Sequence, residues 1–302
     1  LNRNERAATK DWRVAVPAFR HIPAVAVCDL APIPLCGEDH MAPASKRYLG
    51  NIWVLETSVA YQREVARYLD LIRTTNAGNT LFKFINQRPQ WMLIMPFHPT
   101  QKDPVNAYAY PVPGSEPDSY AKYSFMMTPF KLPNGVTIEI PSGVGTGRGS
   151  MVYLDFHPAT WRQRIKNTGG IAPGTGPGEI LFHEMIHGYR MQCGLARDDK
   201  VAGHKQMDNI EEFYAIMAAN VYRSDRGFTS LRTDHWGFER LKKTDSYPEV
   251  FYDTFKKEID DWFAKQKAFC LDMARVPAKF NPFRQAAISL GLMSAPLTPM
   301  RL

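Results

Sequence analysis

His183-Glu184-Met185-Ile186-His187 is the stretch whose residue types and spacing carry the clearest chemistry. On an α-helix, positions i and i+4 share one face, so His183 and His187 can present two imidazoles to one metal ion. Glu184 stands beside them, where a carboxylate can orient a water and take its proton. Ile180, Leu181, Phe182, Met185, Ile186 and Tyr189 surround the three, and no proline interrupts Ile180–Tyr189. That setting predicts a mostly buried helix carrying a zinc hydrolase centre. A solvated helix with two exposed histidines and an unrelated glutamate is the plainer alternative, and the apolar flanks argue against it.

A catalytic zinc takes three protein ligands and keeps one position open. The third is expected from Asp208-Asn209-Ile210-Glu211-Glu212, on a helix read over Met207–Arg223. At about 100° per residue, Ile210, Phe213, Met217 and Val221 make a bulky face. Ala215, Ala218 and Ala219 make a small-residue face that lets a second helix approach. Glu211 points nearer the small face, so Glu211 is the expected ligand. Glu212 then stands behind it as a carboxylate orienting a ligand histidine. Two ordinary surface acids are the alternative. A histidine third ligand would need H-E-x-x-H-x-x-G-x-x-H, but Arg190 and Cys193 occupy the last two key positions. Arg232, His235 and Tyr214 are candidates for stabilising the oxyanion of a tetrahedral intermediate, with polar packing as the other reading of each. His204 reads as a loop residue. His21, His40, His98 and His157 lack metal spacing and read as structural.

These side chains need a scaffold, and 302 residues suffice for one large domain or two small ones. Hydrophobic content of 44% and charged content of 22% are those of a globular protein. The longest apolar runs are too short to span a bilayer, so no transmembrane segment is expected. The net charge is 37 − 30 = +7, which favours anionic partners. No Lys/Arg run interleaves with aromatics, so nucleic acid is not expected as a partner. The four cysteines, Cys28, Cys36, Cys193 and Cys270, lack C-x-x-C spacing; a Cys28–Cys36 disulfide and four reduced thiols both stay open. Residues 14–27 are broken by Pro17, Arg20, His21 and Pro23 and do not form a signal-peptide core.

Residues 1–50 are proline-rich and read as an irregular arm or linker, with residues 51–302 as the domain proper. Leu55–Thr74 reads as a helix ended by Asn76–Asn79, Thr80–Asn86 as a short helix, and Trp91–Pro96 as a buried strand. Lys102–Ser119 reads as a long surface loop. Ser124–Met127, Val136–Ile140 and Met151–Phe156 read as strands, the last as the edge of a substrate cleft. The Gly143–Ser150 run lacks the Lys-Ser/Thr of a phosphate loop and reads as a hairpin tip or cleft wall. Gly194 is placed to end the His183–His187 helix. Pro248–Met273 reads as one long amphipathic helix and Pro282–Leu290 as a shorter one. Strands gather before the motif and helices after it, giving an α+β fold with a small sheet and a mainly helical C-terminal part.

Asn79–Ile85, Trp91–Pro96, Gly147–Pro158 and Ile180–Gly194 resemble the successive blocks of the NleD-like bacterial effector metallopeptidases. The Glu211-Glu212 pair is similar to one in clostridial neurotoxin light chains, where the first glutamate binds zinc. Here the pair is followed by Phe213-Tyr214-Ala215 and not Leu-Arg-Thr, so the arginine of that pattern is missing. The resemblance spans about residues 79–235. It implies a zincin-like Zn²⁺ endopeptidase, secreted or injected as a toxin, as in metallopeptidase effectors of type VI secretion. It implies a protein or peptide substrate, delivery to a periplasm or host cytosol, and an immunity or secretion-machinery partner. A zinc hydrolase of cell-wall peptides and a catalytically silent zincin used for binding are the alternatives.

Overall fold

The computed structural model describes residues 45–56, 58–96, 107–132, 135–161, 172–201, 207–235 and 239–295. Within them the fold is mixed α+β, with a small sheet and several helices. The chain divides into two compact units, residues 1–40 with 127–142 and residues 41–126 with 143–302.

The larger unit is built on a five-stranded sheet of order β1 (Ser45–Leu49), β2 (Ile52–Leu55), β3 (Met92–Met95), β7 (Val152–Asp155), β4 (Tyr108–Pro111). β1 returns on β2 through Gly50, at φ +54, and pairs antiparallel. β2, β3 and β7 are parallel, and β4 closes the far side antiparallel to β7. In β2 and β7 burial alternates, so Ile52, Val54, Val152 and Leu154 point into the core. The short β3 is apolar throughout because it lies in the middle of the sheet.

Two features differ from expectation. β1 lies inside the stretch read as an irregular arm; residues 1–44 are outside the described residues, Cys28 and Cys36 among them. β4 and a one-turn helix, Glu116–Ser119, lie within the stretch read as one loop. Tyr108-Ala109-Tyr110 has the alternation of a strand, with Ala109 buried, but flanking prolines hide it. The consequence for β7 is direct. It is an interior strand, and β4 takes the edge that had been expected of it.

Helix α1 (Val59–Arg73) is capped by Ser58, whose hydroxyl accepts from the Tyr61 N–H, and buries Val65, Leu69 and Ile72. Helix α2 (Asn76–Asn86) starts earlier than expected, because Thr75 caps it. Gly78, read as part of a terminator, is a packing residue instead: a Cβ there would meet the Ile72 carbonyl oxygen at 1.9 Å. With Glu116–Ser119 as α3, the motif helix is α4 (Pro177–Gln192) and the next is α5 (Ile210–Asp225). α4 packs on α1, α2, α5, β4 and β7, so it runs through the centre of the unit.

The expected long helix at Pro248–Met273 is three helices, α6 (Pro248–Thr254), α7 (Lys256–Lys265) and α8 (Lys267–Arg275), followed by α9 (Pro282–Ser289). The breaks fall at Phe255 (φ −116, ψ 27) and Gln266 (φ −136, ψ 49). Each re-aims the next apolar stripe, so that Phe251, Trp262, Phe269 and Phe283 are all buried. No glycine or proline announces either break. Among the described residues, no helix is long and apolar enough to cross a membrane. Cys193 and Cys270 are free thiols.

In the smaller unit the described residues belong to β5 (Phe125–Lys131) and β6 (Thr137–Val144), which pair as a two-stranded sheet. Val136, Ile138 and Ile140 are exposed there.

Candidate metal centre

α4 begins at Gly176, with Pro177 in the first turn, where its missing N–H costs nothing. Glu179 accepts from the Gly174 N–H at 2.7 Å and pairs with the buried Arg223 of α5 at 2.7 Å. This ties the start of α4 to the end of α5. The helix is buried on every side, as its apolar flanks predict, and His183, Glu184 and His187 are 3%, 8% and 6% exposed. Gly188 lets the sheet come close, since a Cβ there would meet Met92 Cε at 2.8 Å. Gly194, at φ +63, follows the helix as expected.

α5 brings the remaining ligand group. Asn209 caps it by accepting from the Glu212 N–H at 2.9 Å, which fixes the first turn. His183 Nε2 and His187 Nε2 face each other at 3.0 Å. The Glu212 carboxylate completes the group, 3.2 Å from His183 Nε2 and 3.4 Å from His187 Nε2. One donor atom from each lies within 4.8 Å of the others. Glu212 Oε2 is buried, and its neighbours are imidazole nitrogens, His183 Nε2 at 3.2 Å and His235 Nε2 at 3.3 Å. Two imidazole nitrogens and a carboxylate turned on one point are a donor set that fits a divalent metal of the zinc type.

The charges of the group are tightly coupled. Burial pushes His183 down to about 3, which favours the neutral imidazole a metal needs. Burial acts in the same sense on His187, but the Glu212 and Glu211 carboxylates outweigh it and raise that ring. Burial would lift Glu212; the adjoining His235 and His187 bring it well below the usual carboxylate range. Burial pushes Glu184 up to about 7, with His187 opposing and Glu212 adding. A carboxyl near neutrality beside a metal group is suited to taking and returning a proton.

Glu211, the expected ligand, is turned elsewhere. Its Oε1 accepts from Arg190 Nε at 2.5 Å and its Oε2 from the Arg197 N–H at 3.2 Å. Oε1 also lies 4.0 Å from His187 Nδ1, so Glu211 stands behind a histidine while Glu212 faces the centre. The orientation of the two glutamates is the reverse of that expected, for a physical reason. Nearly the whole of α5 is buried, so its alanine face is not its only face in close contact. The buried guanidinium of Arg190 then claims the nearer glutamate.

Tyr214 is not at the centre. Its hydroxyl donates to the Glu258 carbonyl at 3.0 Å and its ring lies under Arg190, at 4.2 Å, so it is a packing residue. His235 does come to the centre, and Arg232 lies within electrostatic reach of it. His235 stacks on His183, with centroids 6.2 Å apart and planes at 11°. Its Nε2 is 3.3 Å from Glu212 Oε2, and its Nδ1 is 2.6 Å from Asp208. Arg232 donates to the carbonyls of Asp234 and His235, and the Asn220 side chain brackets its backbone at 2.8 Å on both sides. Burial lowers Arg232, and the carboxylates of Glu212 and Glu179 oppose that shift. His157 packs against Tyr61, in keeping with a structural role; His21, His40, His98 and His204 lie outside the described residues.

No protein-family model matches this chain, and no curated protein matches it. Among solved structures, the Clostridium botulinum neurotoxin serotype F light chain is similar to it. That similarity has 11% identity and a TM-score of 0.33, and covers 81% of this chain and 68% of that one. The chemistry of the site rests on its own geometry.

Two residues were not singled out by sequence. Asp208 is one, and its place just before the Asn209 cap was the available signal. Tyr108 on β4 is the other. It is exposed, yet desolvation of its hydroxyl raises its pKa, and the charges of Asp198, Glu184 and Glu212 add to the rise.

Proposed function

We propose that this protein is a zinc-dependent peptidase of zincin type. The observation that carries the reading is the convergence of His183, His187 and Glu212 with Glu184 buried on the same helix. His183, His187 and Glu212 would hold the metal. A zinc ion there supplies Lewis acidity and makes water a nucleophile near neutral pH. Glu184 accepts the proton of the attacking water and delivers it to the leaving amine. Arg232 contributes positive charge within electrostatic reach of Glu184 and Glu212. The outer side of β4 pairs with no strand among the described residues, and an extended peptide would lie along it.

A role as a secreted or injected effector follows from the sequence resemblance, and so does the expectation of an immunity or secretion partner. The net charge of +7 suits an anionic surroundings such as a cell wall, which keeps cell-wall peptides as a substrate class to assay beside proteins.

The test is Glu184→Gln. It should bind zinc as wild type does, while hydrolysis of a casein or peptide-library substrate falls about 10²–10⁴-fold. Undiminished hydrolysis would remove Glu184 from the mechanism.

A further inference from the structure

Arg190 is the largest buried charge that the proposed reaction does not use. It is 1% exposed and lies on α4 one turn beyond His187. Its guanidinium is held on every side. Nε donates to Glu211 at 2.5 Å, and one terminal nitrogen donates to the Leu195 carbonyl at 2.8 Å. The other reaches Gln266 Oε1 at 3.5 Å, and the plane lies over the rings of Tyr214 at 4.2 Å and Trp262 at 5.2 Å. Gln266 is fixed in turn by Trp262 Nε1, at 2.6 Å, and by its contact with Cys193 Sγ at 3.2 Å.

On the inner side of this network Glu211 has one carboxylate oxygen on Arg190 and the other on the Arg197 N–H. The oxygen on Arg190 is the one that lies 4.0 Å from His187 Nδ1. A buried ion pair is a poor source of stability, because desolvation offsets most of the attraction. It is a good way to hold a carboxylate in one orientation. A carboxylate behind a ligand histidine sets the ring's angle and basicity.

We infer that the Arg190–Glu211 pair positions His187, with Trp262 and Gln266 bracing the arginine from the C-terminal helices. Arg190 and Glu211 are positioning residues. The inference rests on the reading of His183, His187 and Glu212 as a metal centre. It gives the α7 segment a part in that centre, although α7 supplies no ligand to it.

The experiment measures zinc dissociation constants by competition with a chromogenic chelator, alongside the unfolding temperature of each metal-free protein. The double variant Arg190→Met/Glu211→Leu removes both charges together and leaves neither orphaned in the core. It should fold and bind zinc about 10–100-fold more weakly than wild type. Glu211→Gln keeps the shape and loses only the charge; it should weaken zinc in the same direction, and it should also lower the metal-free unfolding temperature, because Arg190 loses its buried counter-charge. If the double variant does not fold, Glu211→Gln decides. Zinc binding as tight as wild type in the folded double variant, or in Glu211→Gln, overturns the inference. A wild-type protein that takes up no zinc overturns the metal centre itself, and this inference with it.

Discussion

At the scale of single residues, the pair Glu211-Glu212 marks the limit of a helical wheel. The wheel gives the angle of each glutamate correctly, but it ranks faces by the size of their side chains. It contains no term for a charge arriving from another helix. Arg190 sits three residues beyond His187, in a stretch read mainly for its apolar character, and its partner could not be chosen from spacing alone. His183, Glu184 and His187 were legible because their i, i+4 spacing and apolar flanks are properties of one helix. Glu184 has a measurable consequence at this scale. Its folded pKa of about 7 lies above the ordinary 4.5, so the fold favours the protonated carboxyl. Its contribution to stability is complete below pH 4.5 and is lost as pH rises through about 7. Metal-free Glu184→Gln, which cannot ionise, should therefore be more stable than metal-free wild type above pH 7. The difference should be about 3 kcal/mol there and vanish in acid, read by urea unfolding. Equal stabilities at both ends of the range would show that Glu184 is not desolvated as described.

At the scale of elements, α4 and α5 must be held against each other and against the sheet. Asn209 fixes the turn that carries Glu212. Asn209→Ala should cost about 1 kcal/mol and weaken zinc less than loss of Glu212 does, which calorimetric titration with zinc can check. Gly188 sets the distance from α4 to the sheet, since a Cβ there would be 3.3 Å from both Leu154 and Val152. Gly188→Val should overpack this contact and destabilise the protein by about 1–3 kcal/mol, seen as a lower unfolding temperature. The elements that the sequence showed well were those with an uninterrupted period, such as α1 and β3. β4 was hidden by its prolines, and the breaks at Phe255 and Gln266 had no local marker. Both breaks serve packing against distant parts of the chain, which no window of sequence contains.

At the scale of the whole molecule, the order of strands before the motif and most helices after it was enough to give the α+β class. Sheet order was not legible. It depends on β4 returning to the outside of β7, and that return moves the edge of the sheet from Met151–Phe156 to Tyr108–Pro111. The C-terminal helices contribute indirectly, through Trp262 and Gln266 on Arg190. The +7 charge is a property of the surface and bears on partners, not on the centre. If the molecule is a peptidase, dialysis against a chelator should abolish hydrolysis and added zinc should restore it. The most direct test of the account is the zinc content of purified wild type, Glu212→Ala and Glu211→Gln equilibrated with saturating zinc, by native mass spectrometry. The prediction is one zinc per chain in wild type and in Glu211→Gln at saturating zinc, and almost none in Glu212→Ala. A wild-type protein without zinc, or a Glu212→Ala protein that keeps it, would contradict the account.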